Sequence, residues 1–160
     1  MSILILTTGG TIDKLYFDAL SEYQIGDSVV ERLLRTARVA PAFRVRELMR
    51  KDSLEITDDD RRAIVAAVRE APEERVIVTH GTDTMTDTAH ALGDGAGKTV
   101  VLVGALAPAR FAESDATFNL GMAFAAAQVA RPGVWIAMNG TIFDGAKVRK
   151  DRSINSFVAA

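Results

Sequence analysis

The sequence predicts an α/β fold, a doubly wound and mostly parallel sheet with helices on both faces, and three observations predict it. Short apolar runs dominated by Ile, Leu and Val recur at residues 2–6, 76–78, 99–103 and 134–138. Runs of this kind, without polar alternation, suit strands buried on both faces of a parallel sheet. Between them lie stretches with apolar residues at helical spacing, so strand and helix alternate through five rounds. The third observation is length. A chain of 160 residues suits one domain, which buries about 70% of the surface exposed by its unfolded form and needs no covalent staple.

The first run ends in Thr7-Thr8-Gly9-Gly10-Thr11-Ile12, a glycine turn at a strand end. Residues 13–24 have no clear period and carry Tyr16, Phe17 and Tyr23. They read as a loop or partly ordered flap, and loops of this length are often lids. Gly26-Asp27-Ser28 then caps a helix whose apolar face is Val29, Val30, Leu33, Leu34 and Ala37. Residues 43–49 alternate apolar and basic and form the second strand. Thr57 followed by Asp58, Asp59 and Asp60 starts a helix whose acidic first turn matches its dipole, with Ile64, Val65 and Val68 facing inward.

The third strand, Val76-Ile77-Val78, stops at Thr79-His80-Gly81. Thr82-Asp83-Thr84 opens a helix with Met85, Ala89 and Leu92 inward, and either Thr82 or Asp83 can serve as its N-cap. A glycine-rich turn at 93–97 leads to the fourth strand, 99–103, and the turn Gly104-Ala105-Leu106-Ala107-Pro108. An alanine-rich helix at 119–130, a fifth strand at 134–138 and a polar, mostly basic loop at 144–151 follow.

Composition excludes several functions. A net charge of −2 and a pI near 5.7 supply no long-range attraction for nucleic acid or an anionic membrane. No stretch approaches the roughly 18 apolar residues of a membrane span, and the amino terminus has no basic signal region. The absence of cysteine excludes disulfides and thiolate chemistry and fits a reducing compartment, so a cytoplasmic protein is expected. His80 and His90 lack zinc-ligand spacing, so no metal is expected, and His80 reads as a hydrogen-bonded turn residue. The segment GDGAGKT at 93–99 imitates a phosphate loop. It has Leu92 where the pattern needs glycine and precedes a strand instead of following one, so it implies no nucleotide.

Two strand ends, the first and the third, carry hydroxyls: Thr11 on one, Thr82 with Asp83 on the other. In an α/β sheet, residues just past the strands' C-terminal ends line the ligand crevice, beside helix amides that favour developing negative charge. Right-handed crossovers tend to make these two strands neighbours, so both threonines can face one crevice. A threonine hydroxyl is a weak nucleophile until a base takes its proton. Lys150, in the loop after the fifth strand, becomes such a base if desolvated beside Asp83. From the residues alone, the run Lys147-Val148-Arg149-Lys150-Asp151-Arg152 reads better as a solvated loop.

At these residues the chain resembles a known family. Thr8-Gly9-Gly10-Thr11-Ile12 and His80-Gly81-Thr82-Asp83-Thr84-Met85 are similar to the two signature motifs of the bacterial-type L-asparaginases, in the same order and context. Tyr23-Gln24-Ile25-Gly26 resembles the tyrosine segment of the family's flexible flap, Asp52-Ser53 its substrate-carboxylate loop and Val103-Gly104-Ala105 its fourth strand end. Asp115 with Phe118-Asn119-Leu120, and Asp144-Gly145 up to Lys150, extend the likeness along nearly the whole chain. With the family motif in hand, Lys150 reads as a functional residue.

The resemblance implies the family's N-terminal catalytic domain, hydrolysing L-asparagine to L-aspartate and ammonia with no cofactor. Thr11 would be the nucleophile that forms an acyl-enzyme, oriented or activated by Tyr23 from the closing flap. Thr82, Asp83 and Lys150 would carry protons and activate water. Ser53 would hold the substrate's α-carboxylate and Asp83 its α-ammonium, with backbone amides at Gly10 or Thr82 facing the oxyanion. The sequence ends ten residues after Lys150. The expectation is therefore a single domain over residues 1–160, without the family's smaller C-terminal domain, assembled as a homo-oligomer, either dimer or tetramer. A non-catalytic amino-acid-binding module and the ammonia-releasing subunit of an amidotransferase are the alternative functions.

Overall fold

Alternate residues of the first strand feed two separate cores. Leu4 and Leu6 join one apolar cluster and Ile3 and Ile5 the other, all four completely buried. That is the period of two expected of a strand covered on both faces. A computed structural model describes residues 1–160, which run as β1 (Ser2–Gly9), β2 (Lys14–Phe17), β3 (Glu22–Ile25), α1 (Val30–Thr36), β4 (Ala42–Lys51), α2 (Asp58–Glu70) and β5 (Arg75–Thr79). There follow α3 (Met85–Leu92), β6 (Thr99–Val103), α4 (Ala116–Val129), β7 (Gly133–Met138), β8 (Thr141–Asp144), β9 (Val148–Asp151) and β10 (Ser156–Ala159).

Six strands form one sheet in the order β4-β1-β5-β6-β7-β8. The first five are parallel and β8 pairs antiparallel with β7. From β1 the chain crosses to β4 on one side, then returns past β1 to β5 on the other. The strand order reverses between β1 and β5, and in open α/β sheets ligands bind outside the strands' C-terminal ends at such a point. As the crossover rule anticipates, β1 and β5 are direct neighbours, with Thr7 opposite Thr79. Helices α2 and α3 close one face around Ile64, Val68, Met85 and Leu92. Helices α1 and α4 close the other around Leu34, Leu120 and Phe124.

Four local features differ from the sequence reading. Residues 13–24 are an antiparallel hairpin, β2 against β3, with Tyr16 opposite Tyr23, and not an aperiodic loop. Helix α1 is not capped by its preceding triplet alone. Ser28 Oγ accepts the Val30 amide at 3.3 Å, but the carboxylate of buried Asp13, sixteen positions away, accepts the Val29 amide at 3.0 Å. Helix α4 begins three residues earlier than its apolar pattern suggests, at Ala116. The polar segment around Lys150 is also strand: β8 adds an edge to the sheet, and β9 pairs with β10.

The start of α2 is as its residues dictate. Thr57 Oγ1 accepts the Asp60 amide at 3.2 Å and the Asp60 carboxylate accepts the Thr57 amide at 2.9 Å, a reciprocal capping box. No helix is long and apolar enough to cross a membrane.

Candidate active site

Glycine decides how closely the loops at the switch point approach. Gly10 has φ 86°, a region that L side chains rarely adopt. A Cβ there would lie 2.5 Å from the Gly81 nitrogen and 2.8 Å from its Cα, so the turns after β1 and β5 touch backbone to backbone. A Cβ at Gly81 would in turn lie 2.6 Å from Ser53 Cβ. The three loops that carry Thr11, Thr82 and Ser53 are thus stacked without intervening side chains.

Hydrogen bonds fix the stack. Gly10 donates to the Lys51 carbonyl at 2.9 Å, Thr8 Oγ1 to the Thr79 carbonyl at 2.6 Å, and Thr84 Oγ1 to the Ser53 carbonyl at 2.7 Å. His80, completely buried, spans the turn after β5. Its Nδ1 lies 2.7 Å from the Gly81 carbonyl and its Nε2 2.7 Å from Thr88 Oγ1. A carbonyl only accepts, so Nδ1 carries the ring proton and Thr88 donates to Nε2. Burial is the chief cause that pushes the His80 pKa down from 6.5 to about 4, so the ring is neutral at pH 7. His80 is the hydrogen-bonded turn residue its position suggests.

Neither Thr82 nor Asp83 caps α3. Thr84 stands at the N-cap without a side-chain cap bond, because its hydroxyl is spent on Ser53. The Thr82 and Asp83 side chains turn instead toward Lys150. The lysine Nζ donates to Thr82 Oγ1 at 2.8 Å and to Asp83 Oδ1 at 2.9 Å across 68 and 67 residues of sequence. Lys150 belongs to strand β9 and not to a loop. It lies opposite Phe157 on β10, and buried Val148 and Phe157 seat this hairpin in the core. Asn139 Oδ1 accepts the Phe157 amide at 2.7 Å and adds a second anchor. The Lys150 side chain is 12% exposed, and Arg152 stands 3.8 Å from the same Asp83 oxygen.

Thr11 opens a one-turn 3-10 helix, Thr11–Asp13, directly behind Gly10 and is half-buried. Tyr23 lies on β3 of the hairpin, 54% exposed. Its ring centroid is 5.4 Å from that of Tyr16 and 5.9 Å from that of Phe111. Tyr23 and Asp83 line one cleft of about 530 Å³, together with Leu54 and Glu55 from the turn that Ser53 opens. Ser53 itself is buried. The structure therefore brings Thr82, Asp83 and Lys150 into contact and sets Gly10 and Ser53 against Gly81, while of the candidate residues Tyr23 and Asp83 line the cleft itself.

Sequence reasoning missed what holds the hairpin down. Lys14 of β2 pairs with Asp52 beside Ser53 at 3.1 Å. Arg110 donates to the carbonyls of Asp13, at 2.9 Å, and Asp27, at 2.7 Å, clamping the hairpin's base. These partners lie far apart in the chain, and no local pattern signals them. Asp115 and Asn119, by contrast, serve the scaffold. Asp115 accepts the Leu106 and Ala107 amides, and Asn119 Nδ2 donates to the Gly104 carbonyl at 3.0 Å, fixing the loop after β6. No group of three or more His, Asp or Glu side chains is placed to hold a metal ion.

Fold and site together define a doubly wound α/β domain whose polar cleft lies at the C-terminal ends of β1 and β5. The model of the family described as "Asparaginase, N-terminal" matches residues 2–158, and the chain belongs to the asparaginase family. It is 32% identical over 164 residues to an L-asparaginase of Thermococcus kodakarensis, covering 96% of this chain and 49% of that protein. It is 33% identical over 162 residues to one component of the glutamyl-tRNA(Gln) amidotransferase of Methanococcus vannielii, covering 82% and 38% respectively. Among solved structures, the thermostable L-asparaginase from Thermococcus kodakarensis superposes with a TM-score of 0.87 at 30% identity, over 99% of this chain and 51% of that one. The chain spans about half the length of the L-asparaginases it matches.

Proposed function

We propose that this chain hydrolyses the side-chain amide of L-asparagine to L-aspartate and ammonia. The observation that carries the reading is the contact of Lys150 with Thr82 and Asp83, assembled from distant parts of the sequence beside the Gly10 turn. In this reading Thr11 Oγ1 adds to the amide carbon and the oxyanion is met by the backbone amides of Gly10 or Thr82. One such donor is worth about 3 kcal/mol of barrier. Ammonia leaves with the proton it gains, and an ester to Thr11 remains. Water then adds to the ester carbonyl, releasing L-aspartate and restoring the threonine hydroxyl.

Tyr23 orients Thr11 from the hairpin. Thr82 Oγ1 accepts from Lys150, so its own hydrogen is free to point into the cleft, toward water or substrate. Water or substrate that meets this hydroxyl can exchange a proton with the Thr82–Lys150–Asp83 chain, in which Asp83 holds the lysine in place. Ser53 and Asp83 receive the substrate's α-carboxylate and α-ammonium.

A homo-oligomer, dimer or tetramer, belongs to the same reading. It is supported by the outer face of α4, where Phe118 and Val129 are 64% and 85% exposed and no residue from 116 to 130 is charged. A cytoplasmic location fits a chain without cysteine. The test is ammonia release from L-asparagine by the purified chain and by Thr11→Ala, Thr82→Ala and Lys150→Met. Turnover lost in all three supports the reading, and turnover retained in Thr11→Ala and Thr82→Ala refutes it. The kinship to an amidotransferase component favours a second reading, ammonia release for a partner chain. That reading expects little turnover alone and restoration by the partner.

A further inference from the structure

We infer that Phe111 is a positioning residue for Tyr23: its ring, carried by the loop after β6, fixes where the tyrosine stands relative to Thr11. The inference rests on the reading of Thr11 as nucleophile and Tyr23 as the group that orients it, and deepens that reading. Strands β2 and β3 form a two-stranded sheet of their own, separate from the six-stranded one, and bury no residue fully. A hairpin of this kind is marginal in water by itself. The place of Tyr23 is therefore set by what the hairpin leans on. Two rings meet Tyr23. Tyr16 sits opposite it on β2 and moves with it. Phe111 belongs to the loop between β6 and α4, and its centroid lies 5.9 Å from that of Tyr23 with the planes tilted by 56°, a separation that aromatic pairs favour.

The same loop grips the turn that carries Thr11. The Ala109 amide donates to the Ile12 carbonyl at 3.1 Å. Arg110 donates to the carbonyl of Asp13 at 2.9 Å and to that of Asp27 at 2.7 Å, so it ties the end of the Thr11 turn to the chain leaving β3. Phe111 follows, its amide bonded to the Pro108 carbonyl at 3.0 Å. Three consecutive residues thus touch the Thr11 turn, the base of the hairpin and the Tyr23 ring. Their loop is itself anchored: the Asp115 carboxylate accepts the Leu106 and Ala107 amides, and Ser114 Oγ donates to the Ala107 carbonyl at 2.9 Å. Tyr23 and Thr11 are in this way held against one fixed segment, and a small displacement between reacting groups is costly in rate. The Phe111 ring is 42% exposed and belongs to neither apolar core, so its packing serves the hairpin.

The test is a double-mutant cycle on ammonia release from L-asparagine, with the wild-type chain, Phe111→Ala, Tyr23→Phe and the double variant, and with Phe111→Tyr as the conservative replacement. Loss of one aromatic contact is expected to lower kcat about fivefold in Phe111→Ala, with the denaturant midpoint nearly unchanged and Phe111→Tyr restoring the rate. Because Phe111 acts through the Tyr23 hydroxyl, removing it in the Tyr23→Phe background should lower kcat by less than about twofold. Hydrogen exchange gives a readout that needs no turnover. The amides of the hairpin, residues 14–25, should exchange about fivefold faster in Phe111→Ala, while those of α2 and α3 keep their rates. Unchanged kcat, an equal loss in both backgrounds, or unchanged hairpin exchange overturns the inference. A wild-type chain that releases no ammonia, with hairpin exchange still quickened in Phe111→Ala, refutes the hydrolytic reading and leaves Phe111 as the brace of Tyr23.

Discussion

Acid should weaken this fold through one buried ring. His80 is neutral, completely buried and bonded at both nitrogens, so the folded state resists its protonation while the unfolded chain does not. Its pKa drops from 6.5 to about 4 on folding, burial being the largest cause. A lowered histidine pKa means that the unfolded state binds more protons between these values, so stability is fully present above pH 6.5 and is lost as pH falls toward about 4. Over about 2.5 pH units, at about 1.4 kcal/mol each, the loss is about 3 kcal/mol. Carboxylates held low by partners, Asp52, Asp60, Asp151 and Glu73, act at the acid end, near and below their ordinary 3.8 and 4.5. Asp13, raised by burial, acts with the opposite sign. Both contributions are common to a His80→Gln variant, whose amide keeps a bond in the turn and does not titrate. Urea unfolding of the two proteins across this range isolates the histidine: the variant is less stable at neutral pH, and the gap closes by about 3 kcal/mol toward pH 4. Parallel stability curves would refute the argument.

Three further outcomes follow from the geometry. Gly10→Ala places a side chain at φ 86° and 2.5 Å from the Gly81 nitrogen, so it should cost more than about 2 kcal/mol, read by denaturant midpoint, and separate the two turns. Lys150→Met keeps the aliphatic stem in its seat and leaves Asp83 near Arg152, so stability should change by about 1 kcal/mol or less while the rate of ammonia release falls by about a thousandfold. Lys14→Met removes the 3.1 Å pair with Asp52, and the hairpin of residues 14–25 should be cleaved faster in limited proteolysis, with α2 unaffected.

The sheet was legible because its strands are apolar without interruption, and residues such as Val76, Ile77 and Val78 have no other place to go. The adjacency of β1 and β5, and with it the meeting of the two motif turns, agrees with the tendency of right-handed crossovers to bring such strands close. What escaped notice was structure held by exposed or distant pairs. β2 and β3 bury no residue fully, so the hairpin leaves no alternating pattern to read. β9 reads as a charged loop because only Val148 on it is buried, and its partner strand lies beyond an intervening turn. Asp13 caps α1 from sixteen positions away, beyond any local capping signature. The lysine's proposed role came from likeness to a family motif. Its placement beside Thr82 comes from the hairpin.

That hairpin gives the last strand an influence out of proportion to its size. Lys150 is held on one arm of a splint whose other arm is β10, fastened by Phe157 in the core, by Asn139 and by the Ala160 amide on the Lys147 carbonyl at 2.9 Å. Shortening β10, or straining it with whatever is joined to it, would tilt the lysine while leaving every group around the cleft chemically intact. The reach of Nζ to Thr82 is in this sense calibrated from behind, and joints at the carboxyl end double as adjustments of the cleft.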